Sequence, residues 1–117
     1  MNNPFEIQVV EAKAGVTVLR AQGRLDAHAA STLMEHCNRV REAGQHLVLN
    51  LSGVPFIASS GIGALLALFE EFRQGSQTVR LAEVSPAVES VVRLLNLDQF
   101  LEMDASEQAS IEVLKAA

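Results

Sequence analysis

From Ala43 to Phe69 the chain carries no formally charged side chain. A stretch this long and uncharged has to be buried, in a membrane or in a protein core. A spanning helix needs about 20 consecutive, mainly apolar residues. Here the run contains Asn50, Ser52, Gly53, Pro55, Ser59, Ser60, Gly61 and Gly63. Pro55, between Gly53 and Gly61, breaks any single helix through it. The stretch therefore reads as a buried strand, a turn and a buried helix, with no direct membrane insertion. Leu47 to Leu51 is short, apolar and branched, which suits a strand covered on both faces. After the turn at Gly53-Val54-Pro55, the residues Ile62, Leu65, Leu66, Phe69 and Phe72 recur at helical spacing. Ala64, Ala67 and Leu68 make the next face of that helix apolar too, so its first half is either covered twice or presented to a partner.

The flanks extend the pattern. Phe5, Ile7 and Val9 alternate with Glu6, Gln8 and Val10, and Val16, Val18 and Arg20 alternate with Thr17, Leu19 and Ala21. Two period-two runs separated by a short turn at Gly15 predict an antiparallel hairpin. Asp26 is placed to cap a helix bearing Ala30, Leu33, Cys37 and Val40, and Gly44 closes it. Thr78 to Val84 is the next strand, and Ser85-Pro86 starts a helix with Val88, Val91, Val92 and Leu95 inward. Phe100-Leu101 and Met103 form a short edge strand. Asp104 followed by Glu107 resembles a capping box that opens a last helix with Ile111 and Leu114 inward. The expected fold is α/β: a mixed sheet, built from the N-terminal hairpin and βαβ crossovers, flanked by about four helices.

The chain has 117 residues, 49% of them hydrophobic, with no linker-like or repeated segment. One domain over residues 1–117 accounts for that size. The single cysteine, Cys37, excludes an intrachain disulfide and suits a cytoplasmic protein. The opening Met-Asn-Asn-Pro-Phe-Glu lacks the basic and apolar stretches of a secretory signal. A net charge of -5, no Trp and no Tyr argue against nucleic acid as a partner.

Catalytic and metal chemistry find little support. His28 and His36 on one helix are separated by about 12 Å of rise and cannot share a zinc ion. Ile57-Ala58-Ser59-Ser60-Gly61 lacks the first glycine of a nucleophile elbow. Gly61-Ile62-Gly63 lacks the third glycine of a dinucleotide loop, and there is no Gly-Lys-Ser/Thr run. No enzyme activity, cofactor or metal is expected. Gly61 and Gly63 read as close-packing or docking positions at the helix start. Ser59 reads as the N-cap of that helix. A phosphate there would add nearly two negative charges beside backbone N–H groups, so the fold could tolerate it while the surface became anionic.

The run from Asn50 to Leu66, Asn-Leu-Ser-Gly-Val-Pro-Phe-Ile-Ala-Ser-Ser-Gly-Ile-Gly-Ala-Leu-Leu, resembles the signature of the STAS domain family, and more closely that of stand-alone bacterial anti-sigma factor antagonists. Gly23-Arg24-Leu25-Asp26 resembles the family's turn before its first helix. Leu47 to Leu51 resembles its central strand, and Ser85-Pro86-Ala87-Val88 the start of its third helix. The resemblance implies a STAS-type mixed sheet with helices and no catalytic activity. It implies that an unphosphorylated antagonist binds an anti-sigma factor serine kinase and so releases a sigma factor. Phosphorylation of the first Ser in the Ser-Ser-Gly run, here Ser59, ends that binding, and a PP2C-type phosphatase restores it. The docking surface it implies comprises Phe56, Ile57, Ala58, Ser60, Gly61 and Ile62, with Asp26 and His28 nearby. A freely diffusing switch of this kind is expected to be a monomer. Many members carry Asp where this chain has Ala58, so a carboxylate that could orient the hydroxyl is missing. Other members are unphosphorylated scaffolds in larger assemblies, including a lipid-transport complex, or are proposed to bind small ligands.

Overall fold

A computed structural model describes residues 4–116; Met1 to Asn3, at the start of the N-terminal segment read for a secretory signal, lie outside the described residues. Strands β1 (Glu6–Lys13) and β2 (Val16–Gln22) form the hairpin. Helix α1 (Ala27–Glu42) crosses to β3 (His46–Gly53), and α2 (Ser59–Gln74) crosses to β4 (Val79–Ala82). Helix α3 (Pro86–Leu94), a 3-10 turn (Leu97–Gln99), β5 (Met103–Asp104) and α4 (Glu107–Ala116) complete the chain. The sheet order is β1-β2-β3-β4-β5. Only β1 runs antiparallel to its neighbour; the remaining pairs are parallel. This is the mixed sheet of hairpin plus crossovers that the sequence predicts.

The sheet is covered on both faces, which explains the apolar run Leu47-Val48-Leu49 in the central strand β3. Leu19, Leu47, Leu49, Leu51 and Leu81 share one core with Leu33 and Cys37 of α1, Leu65, Leu68 and Phe72 of α2, and Val88 and Val92 of α3. Alternate residues Val16, Val18, Val48 and Ala82 face the other way, against Leu114 and Ile111 of α4. Successive strand side chains point to opposite faces, so three helices lie on one face and one on the other. Cys37 is fully buried, and burial pushes its thiol up to about 12, so it is an inert core residue.

Four local expectations are corrected. Leu95, expected inward, is 52% exposed, because α3 ends at Leu94 and Leu95 is its C-cap. The short edge strand is Met103–Asp104 alone, because Phe100 and Leu101 complete the 3-10 turn by donating their amides to the carbonyl of Leu97. The capping box at Asp104 does not form. Ser106 caps α4, its Oγ accepting from the Ala109 amide at 3.0 Å, while Asp104 is held in β5 by Arg80. Ser59 is not an N-cap. That place belongs to Ala58, which is extended (φ -86°, ψ 167°) and offers no side-chain acceptor.

Candidate functional site

The site is built where two loops meet at one end of the sheet. Leu25, just before α1, forms a parallel bridge with Ile57, just before α2. The Leu25 amide donates to the Phe56 carbonyl at 2.9 Å, and the Ala58 amide donates to the Leu25 carbonyl at 3.0 Å. This fixes where α2 starts. With its amide tied to the other loop, Ala58 stays extended, and its carbonyl accepts from the amides of Gly61 (2.9 Å) and Ile62 (3.0 Å). Ser59 is thereby the first helical residue rather than the cap. Asp26 caps the neighbouring helix, accepting from the Ala29 amide at 2.9 Å. The two helices thus begin side by side, one with a carboxylate cap and one with none.

Two further contacts hold the loop. Ser85 Oγ, the cap of α3, donates to the Val54 carbonyl at 2.5 Å. Gly61 sits against the first loop so closely that a Cβ there would lie 2.8 Å from Ile57 Cγ1 and 2.8 Å from the Leu25 carbonyl oxygen. Gly63 has open space around it. It is exposed and one helical turn from Ser59, so it does not serve close packing.

The residues expected on the docking surface divide into two groups. Ser59, Ser60, Asp26 and His28 are exposed, and Phe56 is 37% exposed. Ile57 (6%) and Ile62 (7%) are buried in the main core, Gly61 is buried beneath the loop, and Ala58 is half-buried. Ile57, Gly61 and Ile62 therefore support the surface from below instead of forming it, a correction to their expected place. The structure adds Arg24, which the sequence places only in the turn before α1 and not on the docking surface. Its guanidinium carbon lies 4.0 Å from the centre of the Phe56 ring. Nothing local signals this pair, since the partners come from different loops. Ser85 was legible as a cap, but its bond to Val54 was not.

Chemically the site is an exposed hydroxyl at an uncapped helix start, beside an aromatic ring and a guanidinium. A groove of about 600 Å³ between β1, β2 and the end of β3 is lined by Glu6, Gln8, Arg20, Gln22 and Ser52, and its lining does not include Ser59. Among the described residues no helix is long and apolar enough to cross a membrane, and no group of three or more His, Cys, Asp or Glu could hold a metal ion.

A profile of the STAS domain matches residues 8–110. The chain belongs to the STAS domain family. This STAS domain is similar to the anti-sigma F factor antagonist of Paenibacillus polymyxa, at 24% identity over 108 residues, covering 91% of this chain and 92% of that one. It is 27% identical over 110 residues to the anti-sigma F factor antagonist of Lysinibacillus sphaericus, covering 92% of each. Its fold matches the anti-sigma factor antagonist SpoIIAA. The unphosphorylated form superposes with a TM-score of 0.76 at 23% identity, over 97% of this chain and 98% of that one. The phosphorylated Bacillus form gives 0.70 at 22% identity, over 92% and 99%.

Proposed function

We propose that this STAS domain is an anti-sigma factor antagonist working by partner switching in the cytoplasm. Unphosphorylated and monomeric, it docks an anti-sigma factor serine kinase through Phe56, Ser59 and Ser60, with Asp26 and His28 at the edge, and so releases a sigma factor. The kinase ends the interaction by phosphoryl transfer. A bond forms between Ser59 Oγ and the γ-phosphorus of ATP, the bond from that phosphorus to ADP breaks, and the hydroxyl proton leaves. A PP2C-type phosphatase restores the hydroxyl by hydrolysis. The chain contributes the acceptor and the docking surface, and the catalytic groups belong to its partners.

The observation that carries this reading is the exposed Ser59 hydroxyl at a helix start with no side-chain cap. A phosphate there meets the positive end of the helix dipole, so modification is compatible with the fold. It places nearly two negative charges on a surface that is neutral at Ala58, Ser60 and Gly63. Family membership, the names of the curated relatives and the existence of a phosphorylated SpoIIAA lend further support.

Peptide mass spectrometry on protein recovered from its own host, with phosphatase inhibited, tests the reading. Phosphate on Ser59, absent from a Ser59→Ala strain, is the expected result. One observation favours a second reading, a permanent scaffold in a larger complex: Ala58 provides no carboxylate beside the acceptor. An unmodified Ser59 under all growth conditions would select that reading.

A further inference from the structure

Arg24 and Phe56 lie opposite each other across the bridge between Leu25 and Ile57, with the guanidinium 4.0 Å from the ring centre. Both side chains are exposed, and among the described residues Arg24 pairs with no carboxylate. The Ala58 amide donates to the Leu25 carbonyl at 3.0 Å, and Ser59 follows Ala58 while Arg24 precedes Leu25, so each stands one residue from the same inter-loop hydrogen bond. The long arginine side chain and that of a phosphoserine can meet from those two positions. A guanidinium resting on an exposed ring is weakly held, whereas its paired, charge-assisted bonds to a phosphate are among the stronger polar contacts.

We propose that Arg24 is the counter-ion of phosphorylated Ser59, drawn off the Phe56 ring by the phosphate. The switch then changes the shape of the docking surface as well as its charge: the modification frees a ring that the guanidinium had covered. This rests on Ser59 being the phosphoacceptor.

The test uses the full chain with phosphoserine installed at position 59 during translation, so that no kinase is needed. Phosphorus NMR follows the second ionisation of the phosphate against pH. A nearby cation favours the dianion, so the unsubstituted chain is expected to titrate about half a pH unit below Arg24→Gln, with Arg24→Lys between them. The Phe56 ring signals should move on phosphorylation in the unsubstituted chain and stay in place in Arg24→Gln. Amide spectra check that these surface variants keep the fold. Coincident titration curves with and without the guanidinium would overturn the proposal while leaving phosphorylation of Ser59 untouched. Conversely, a host that never modifies Ser59 would sink the proposed function without altering this titration.

Discussion

Gly61 and Gly63 stand two residues apart at the start of α2 and meet opposite surroundings. A methyl group at Gly61 collides with the Leu25 carbonyl, a backbone atom fixed by the amide of Ala58. Gly61→Ala should therefore destabilise the fold by about 1–3 kcal/mol, as overpacking does. Gly63 faces open space inside a helix, where glycine is the poorer choice by about 0.5–1 kcal/mol. Gly63→Ala should stabilise the fold by that amount and, if the partner docks beside Ser59, weaken its binding. Denaturant midpoints of the two variants check this directly; a loss of stability in both would refute the contrast. In sequence the two glycines look equivalent. They differ because only Gly61 turns toward Leu25 and Ile57, which is a matter of helix phase and of where the first loop lies. The reading of Ser59 as a cap failed for a related reason. Ser-Ser-Gly after an extended run fits the rule for a cap, but the bond from Ala58 to Leu25 sets the helix start.

At the scale of elements, α2 is a helix whose N-terminus lacks the side-chain acceptor that α1, α3 and α4 each have. Ala58→Asp or Ala58→Ser should raise stability by about 1 kcal/mol, measured by chemical denaturation, and no gain would mean the loop cannot present the new acceptor. Helix α4, alone on its face, is fastened to the sheet by carboxylates as well as by the apolar packing of Ile111 and Leu114. Glu107 binds Arg20 at 2.8 Å and Asn50 at 2.6 Å, and its amide donates to Glu83. Asp104, beside it, binds Arg80 at 2.8 Å and accepts from Ser110 at 2.7 Å. The Arg20 guanidinium holds Glu107 below the ordinary carboxylate range, and Arg80 does the same for Asp104. A depressed folded-state pKa contributes stability above the unfolded value, and that contribution is lost as pH falls through the lowered one. Stability should therefore drop steeply below about pH 4, and less steeply in Glu107→Gln. Denaturation midpoints across that range test the point, and parallel slopes for the two proteins would contradict it. The exposed edge of the sheet, β1, carries a bulge between Val9 and Glu11 that interrupts the regular ladder and guards against edge-to-edge pairing.

At the scale of the molecule, the arrangement separates what folds the domain from what would switch it. The core lies beneath Ile57 and Ile62, whereas Ser59 projects from it at a helix end. Ser59→Ala and Ser59→Asp are accordingly expected to melt within a few degrees of the parent, since an exposed first-turn acid is neutral to slightly favourable there. Their binding to an anti-sigma factor kinase should diverge, with Ser59→Ala retaining it and Ser59→Asp losing most of it. Equal affinities in a titration would reject partner switching at this residue, and a large loss of melting temperature in either variant would show that Ser59 carries fold stability as well.

The order of elements, the hairpin, the Asp26 cap and the burial of Leu47 to Leu51 and of one face of α2 were legible because they follow from short-range rules: period-two and helical spacing, breakers and caps. The same local signals identified Ser59 as the hydroxyl at the start of a helix. Which neighbours of Ser59 face outward was decided only in three dimensions. Phe56 emerges while Ile57 and Ile62 turn in, Arg24 reaches the ring of the other loop, and Ser85 holds Val54 in place. Each of these depends on a contact between segments far apart in the chain. A loop residue has no periodicity from which its direction can be read, so the hydrogen bonds to the neighbouring loop set that direction.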